Sequence, residues 1–98
     1  MVCVPWFDQE GVRRPDSLHA QSHAMAEARR LGTCPVAPLI EAHRGDQDGW
    51  HRYLHALVTR CDSVWLVTLE GWEENPDVQQ VLMWARQHAL RVNRWSPA

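Results

Sequence analysis

Apolar and polar positions alternate along this chain in blocks that switch between strand-like and helix-like periods. The clearest block is Ser63-Val64-Trp65-Leu66-Val67-Thr68-Leu69, a short β-branched apolar run. Such a run suits a strand covered on both faces. Glu70 and Gly71 then break it, and Gly71 marks a turn. Asn75-Pro76 comes next as a helix start, because Asn favours the N-cap and Pro the first helical position. Val78, Val81, Leu82, Ala85 and Ala89 recur behind it at helical spacing.

The same logic orders the rest. Val2-Cys3-Val4 reads as a strand ended by Pro5-Trp6, and 7–16 as a polar loop carrying Gly11 and Arg13-Arg14. Pro15-Asp16-Ser17 opens a helix to about Leu31, with Leu18, Ser22, Met25 and Ala28 on one face and Gly32 as its stop. Cys34 to Ile40 reads as a second strand, short or at an edge because Pro35 and Pro38 restrict pairing. A polar loop over 41–49 leads to a helix over 50–60, with Trp50, Tyr53, Leu54, Leu57 and Cys61 on its apolar side. Leu90–Val92 is a last strand, and 93–98 a tail.

This β-α-β-α-β-α-β order predicts one α/β domain over 1–98: a small doubly wound parallel sheet, flavodoxin- or Rossmann-like, with four strands in the order 2-1-3-4 and three helices. The crevice then lies at the carboxyl ends of the first and third strands. Those ends are Pro5-Trp6 and Glu70-Gly71-Trp72.

Composition narrows the picture a little. The net charge of −2 and the lack of a basic block argue against general nucleic-acid binding. Cys3, Cys34 and Cys61 have no metal-like spacing and read as buried free thiols. Neither a signal peptide nor an apolar run near 20 residues appears, so the expectation is a cytoplasmic protein without a membrane partner. Six tryptophans are many for 98 residues, and some are expected at a pocket or an interface. His19/His23 and His51/His55 are spaced to share a metal, yet no third ligand is evident, so they read as helix-surface histidines with no metal or cofactor.

Asp62, Leu69, Gly71, Trp72 and Ala85 match in order a pattern that resembles the nucleoside 2-deoxyribosyltransferase-like superfamily, in particular its small bacterial and phage members. Pro5-Trp6, Pro38-Leu39 and His43 are similar to further family features, so the resemblance spans nearly the whole chain. Asn75 stands where the family has Ser or Asp, and Asp77 where it has Gly. Val81 occupies the position of the catalytic Glu. Valine can neither attack a sugar carbon nor stabilise its charge.

The resemblance implies a domain that binds a nucleoside or nucleotide derivative without the usual N-glycosidase nucleophile. Trp6 and Trp72 would flank the base, and Glu73, Asn75 and Asp77 would meet the sugar. Pro5, Arg13, Arg14, His43, Gly71 and Val81 complete the expected ligand-binding set. Two alternatives stay open. One is an active N-glycosidase or deoxyribosyltransferase with a displaced carboxylate at Asp77, Glu73 or Glu74. The other is a protein-interaction module using the tryptophan-rich surface. Because family members often self-associate, a homodimer is also implied.

Overall fold

A computed structural model describes residues 1–8, 10–40, 43 and 45–96. The expected loops over 7–16 and 41–49 and the tail over 93–98 therefore lie partly outside the described residues.

Among the described residues three strands and three helices follow in the order β1 (Val2–Cys3), α1 (Pro15–Arg30), α2 (Gln47–Val58), β2 (Ser63–Val67), α3 (Pro76–Gln87) and β3 (Arg91–Trp95), with a 3₁₀ turn at Trp72–Glu74. The strands form one open parallel sheet in the order β1-β2-β3. Val2 pairs with Trp65, and Val64 with Val92.

The expected second strand over 34–40 does not form. The segment runs beside β1, but among the described residues its one backbone bond to the sheet is Val2 N–H to the Val36 carbonyl, 2.8 Å. Pro35 and Pro38 lack N–H donors, and the residues around them cannot build a ladder. The described sheet thus has three strands where four were expected, and these three correspond to the expected first, third and fourth.

Strand alternation sends Cys3, Val64 and Leu66 to one face and Val2, Trp65 and Val67 to the other. His23 of α1 stacks edge-on against Trp95, the partner of Val67, which places α1 on the second face. On the first face α3 brings Asp77 close enough to Cys3 to act on its thiol, and α2 packs along α3. Burial, reinforced by that carboxylate, pushes the Cys3 thiol far above its ordinary value and keeps it protonated and inert. Cys34 is exposed and Cys61 half-buried, so only Cys3 is the buried thiol that composition suggested.

Helix ends obey local rules. α1 stops in a Schellman motif: Gly32 at φ 89° sits at C′, its N–H bonds the Arg29 carbonyl, and Thr33 N–H bonds that of Ala28. Its buried stripe is Ser17, Ala20, Ala24 and Ala28; Ser22, expected inside, is exposed. α3 ends in the same motif, but Ala89 holds the left-handed position at φ 55°, outside the helix that its spacing suggested. Among the described residues no helix is long and apolar enough to cross a membrane.

Candidate functional site

The chain leaves β1 through Pro5-Trp6-Phe7 and folds back at once. Phe7 bridges Arg13, Asp8 N–H donates to the Val12 carbonyl, and Gly11 turns at φ 79°. The Asp8 carboxylate fixes this turn by accepting from the N–H groups of Glu10 and Val12, at 2.8 and 2.9 Å. Across from it, β2 ends in a turn whose Gly71 takes φ 86°, a conformation that strains any residue with a Cβ. The chain then enters α3 through Asn75.

Asn75 joins the two segments. Its Oδ1 accepts from Val78 N–H at 3.1 Å as an N-cap, and its Nδ2 donates to the Phe7 carbonyl at 2.9 Å. One buried amide thus caps α3 and clamps the segment after β1 against it. Arg14 spans the same gap further out. It forks onto Asp16 at 2.7 and 3.1 Å and donates to the Glu70 carbonyl at 3.0 Å. That hydrogen-bonded guanidinium holds the Asp16 carboxyl below the usual carboxylate range.

Between these struts lie two adjoining hollows. One, of about 230 Å³, is lined by Phe7, Asp8, Arg14, Gly71, Glu74, Asn75 and Pro76. The other, of about 180 Å³, shares Phe7, Asp8, Asn75 and Pro76 and adds Gly11, His43, Gln47 and Asp77. Each alone is smaller than a typical small-molecule pocket; together they exceed its lower bound of about 300 Å³. They occupy the carboxyl ends of β1 and β2 beside the N-terminus of α3, where parallel sheets place ligands. A larger open hollow of about 810 Å³ lies at the opposite, amino end of β2, lined by Trp65, Leu90 and Asn93 among others.

Asp77 forms the floor of the second hollow and is almost fully buried. Trp50 Nε1 donates to its Oδ2 at 3.1 Å, and Gln47 Nε2 donates to its Oδ1 at 3.2 Å. His51 Nε2 lies 3.2 Å from that same oxygen. His43 extends the chain of bonds. Its Nδ1 accepts from Gly45 N–H, which leaves the proton on Nε2 to donate to Gln47 Oε1, each at 3.3 Å. The His43 ring also packs on Phe7, centroids 4.5 Å apart, and on Trp50 at 5.4 Å.

The structure therefore brings together Arg14, His43, Gly71, Glu74, Asn75 and Asp77 of the expected set. It places others elsewhere. Trp6 has no exposed surface; it packs edge-on against Trp50 and donates from Nε1 to Gln21 at 2.7 Å. A fully enclosed indole cannot flank a base. Pro5 and Val81 are likewise inside the core. Trp72 packs against the core under Arg94, whose guanidinium carbon is 5.2 Å from the ring centroid, and lines neither hollow. Arg13 and Glu73 are exposed outside the cleft. Asn75 has both amide atoms committed, so it shapes the wall instead of meeting a sugar.

Phe7, Asp8, Gln47, Trp50 and His51 were not among the expected site residues. Signals existed for most of them. Phe7 comes directly after Trp6, so extended backbone turns its ring to the other side. Gln47, Trp50 and His51 stand at i, i+3 and i+4 on one helix face. Of the tryptophans, Trp6 and Trp50 are buried and the other four half-buried, so none stands free on the surface.

No protein-family model, no curated protein and no solved structure matches the chain.

Proposed function

We propose that this chain is a degenerate deoxyribosyltransferase-like domain that binds a nucleoside or nucleotide derivative in the cleft between the Phe7–Val12 turn and the N-terminus of α3. The observation that carries this reading is the meeting of two segments at the carboxyl edge of a parallel sheet. They enclose an aromatic ring, carboxylates and one guanidinium in adjoining hollows. Phe7, backed by His43, supplies the apolar face that a base needs, in place of Trp6. Asp8 and Glu74 supply acceptors for sugar hydroxyls. Arg14 is the one cation lining either hollow among the described residues, and Asp16 already holds it.

Loss of N-glycosidase chemistry results from Val81, which is apolar and wholly enclosed. A second reading keeps catalysis, because Asp77 reaches the second hollow one turn before Val81. Its oxygens, however, already accept hydrogen bonds from Trp50 and Gln47, which lowers their nucleophilicity.

Calorimetric titration with 2′-deoxynucleosides and their 5′-phosphates tests the binding reading. Phe7→Leu keeps an apolar wall but removes the ring, and is expected to weaken binding by about 1–3 kcal/mol, the scale of base–aromatic stacking. Equal affinity in that variant counts against the cleft. Chromatography of the same mixtures is expected to show no free base. Base release that depends on protein concentration and disappears in Asp77→Asn would establish the catalytic reading instead.

A further inference from the structure

The helices α2 and α3 run side by side in the same direction. Their starts meet where His51 faces Asp77. Their ends meet where the ring of His55, in the last turn of α2, lies 5.9 Å from that of His88, the C-cap of α3, with 57° between the planes. Both rings are exposed. We infer that these two imidazoles form a binding site for a borderline transition-metal dication of the Cu²⁺, Ni²⁺ or Zn²⁺ type.

Two observations carry the assignment. The first is geometric. A metal–nitrogen bond of about 2.0–2.1 Å puts two imidazole centroids roughly 5–6 Å apart on a tetrahedral or wider-angled centre. The separation of His55 and His88 already falls there. Rotation of two exposed side chains would complete the alignment. The second is electrostatic. Each helix C-terminus carries about half a negative charge, and His55 stands in the last turn of α2 and His88 at the C-cap of α3, a setting that favours a dication. Arg52, which lines the same groove as His55 and Trp84, opposes it with one positive charge. Ligand supply limits the form of the site. His51 has its Nε2 turned to Asp77 and Gln47, so it is not a free third ligand. Among the described residues no group of three or more ligating side chains assembles. The protein thus contributes two ligands, one fewer than the three of an open catalytic zinc site, and water would fill the remaining positions. The other i, i+4 pair, His19 and His23, lies on α1, where His23 is stacked on Trp95.

Trp84 reports on the site, because its ring centroid is 4.9 Å from that of His55. Untagged protein titrated with Cu²⁺ should lose tryptophan fluorescence with a midpoint on the order of 10 µM, copper being the tightest-binding ion of the series. His55→Ala and His88→Ala should each raise that midpoint at least about tenfold. A His19→Ala/His23→Ala double variant should leave it unchanged. In Trp84→Phe, calorimetry should still detect Cu²⁺ while most of the quenching disappears. The substituted histidines are exposed, and circular dichroism verifies that their variants stay folded. Unchanged midpoints in both His55→Ala and His88→Ala would overturn the site. So would quenching that sets in only at millimolar Cu²⁺, or quenching abolished by the α1 double variant alone.

Discussion

Two apolar stretches of similar length, 34–40 and 63–69, meet different fates in this fold. Ser63–Val67 becomes the central strand, hydrogen-bonded to β1 on one side and to β3 on the other. The stretch from Cys34 lies against the other edge of β1 with one backbone bond to it, and Leu39 within it is among the most exposed apolar residues of the chain. Hydropathy alone does not separate them. Backbone donors do: 63–69 carries an N–H at every residue, whereas Pro35 and Pro38 remove two. An apolar run becomes a strand only when its backbone can be satisfied on the sides it buries.

The same contrast extends to the residues on the carboxyl side of each stretch. After β2 the chain passes through Gly71 and Asn75 into a capped helix whose amide clamps the cleft. Beyond 34–40 the chain contributes His43 to the cleft. Stability changes should therefore be large around β2 and α3 and small around 34–40.

The largest effect is expected at Val81, wholly enclosed in the core. Val81→Glu places a charge at a position with no solvent exposure, and should cost about 4 kcal/mol or more. Urea denaturation measures this, and a folded variant of unchanged midpoint would move Val81 out of the core. Asn75→Ala removes the α3 cap and leaves the Phe7 carbonyl unpartnered, a loss of about 2–3 kcal/mol by the same method. Ala89→Gly works in the opposite direction. It relieves a left-handed residue at the end of α3 and should stabilise by about 0.5–1 kcal/mol, seen as a raised Tm. Pro35→Ala should change stability by no more than about 0.5 kcal/mol, since the segment makes no ladder to lose. A loss of about 2 kcal/mol there, the size of a broken cap or ladder, would erase the contrast.

The sequence made the β2-turn-α3 unit legible because each of its parts carries a local signal. Those signals are the β-branched run, the glycine at positive φ and the Asn-Pro start. The end of α1 was legible for the same reason, through Gly32. What escaped was set by packing between distant parts of the chain. Nothing near Trp6 in sequence indicates that Trp50 encloses it, and nothing near Asp77 that Trp50, Gln47 and His51 surround it. The location of the cleft could be read from strand order, but not which ring faces it. Trp6 and Phe7 are adjacent and equally aromatic, and only the direction in which the chain leaves β1 decides between them.

A nucleoside-like ligand seated, as we propose, in the cleft beside the N-terminus of α3 should perturb the amides that line it. Backbone amide shifts in an ¹⁵N-labelled sample, titrated with 2′-deoxynucleosides and their 5′-phosphates, test this proposal most directly. Saturable shifts are expected at Phe7, Asp8, Gly71, Glu74 and Asp77, with the α2–α3 groove around His55 and Trp84 unmoved. No saturable shifts with any of these ligands, or shifts gathered at that groove or at the amino end of β2, would contradict it.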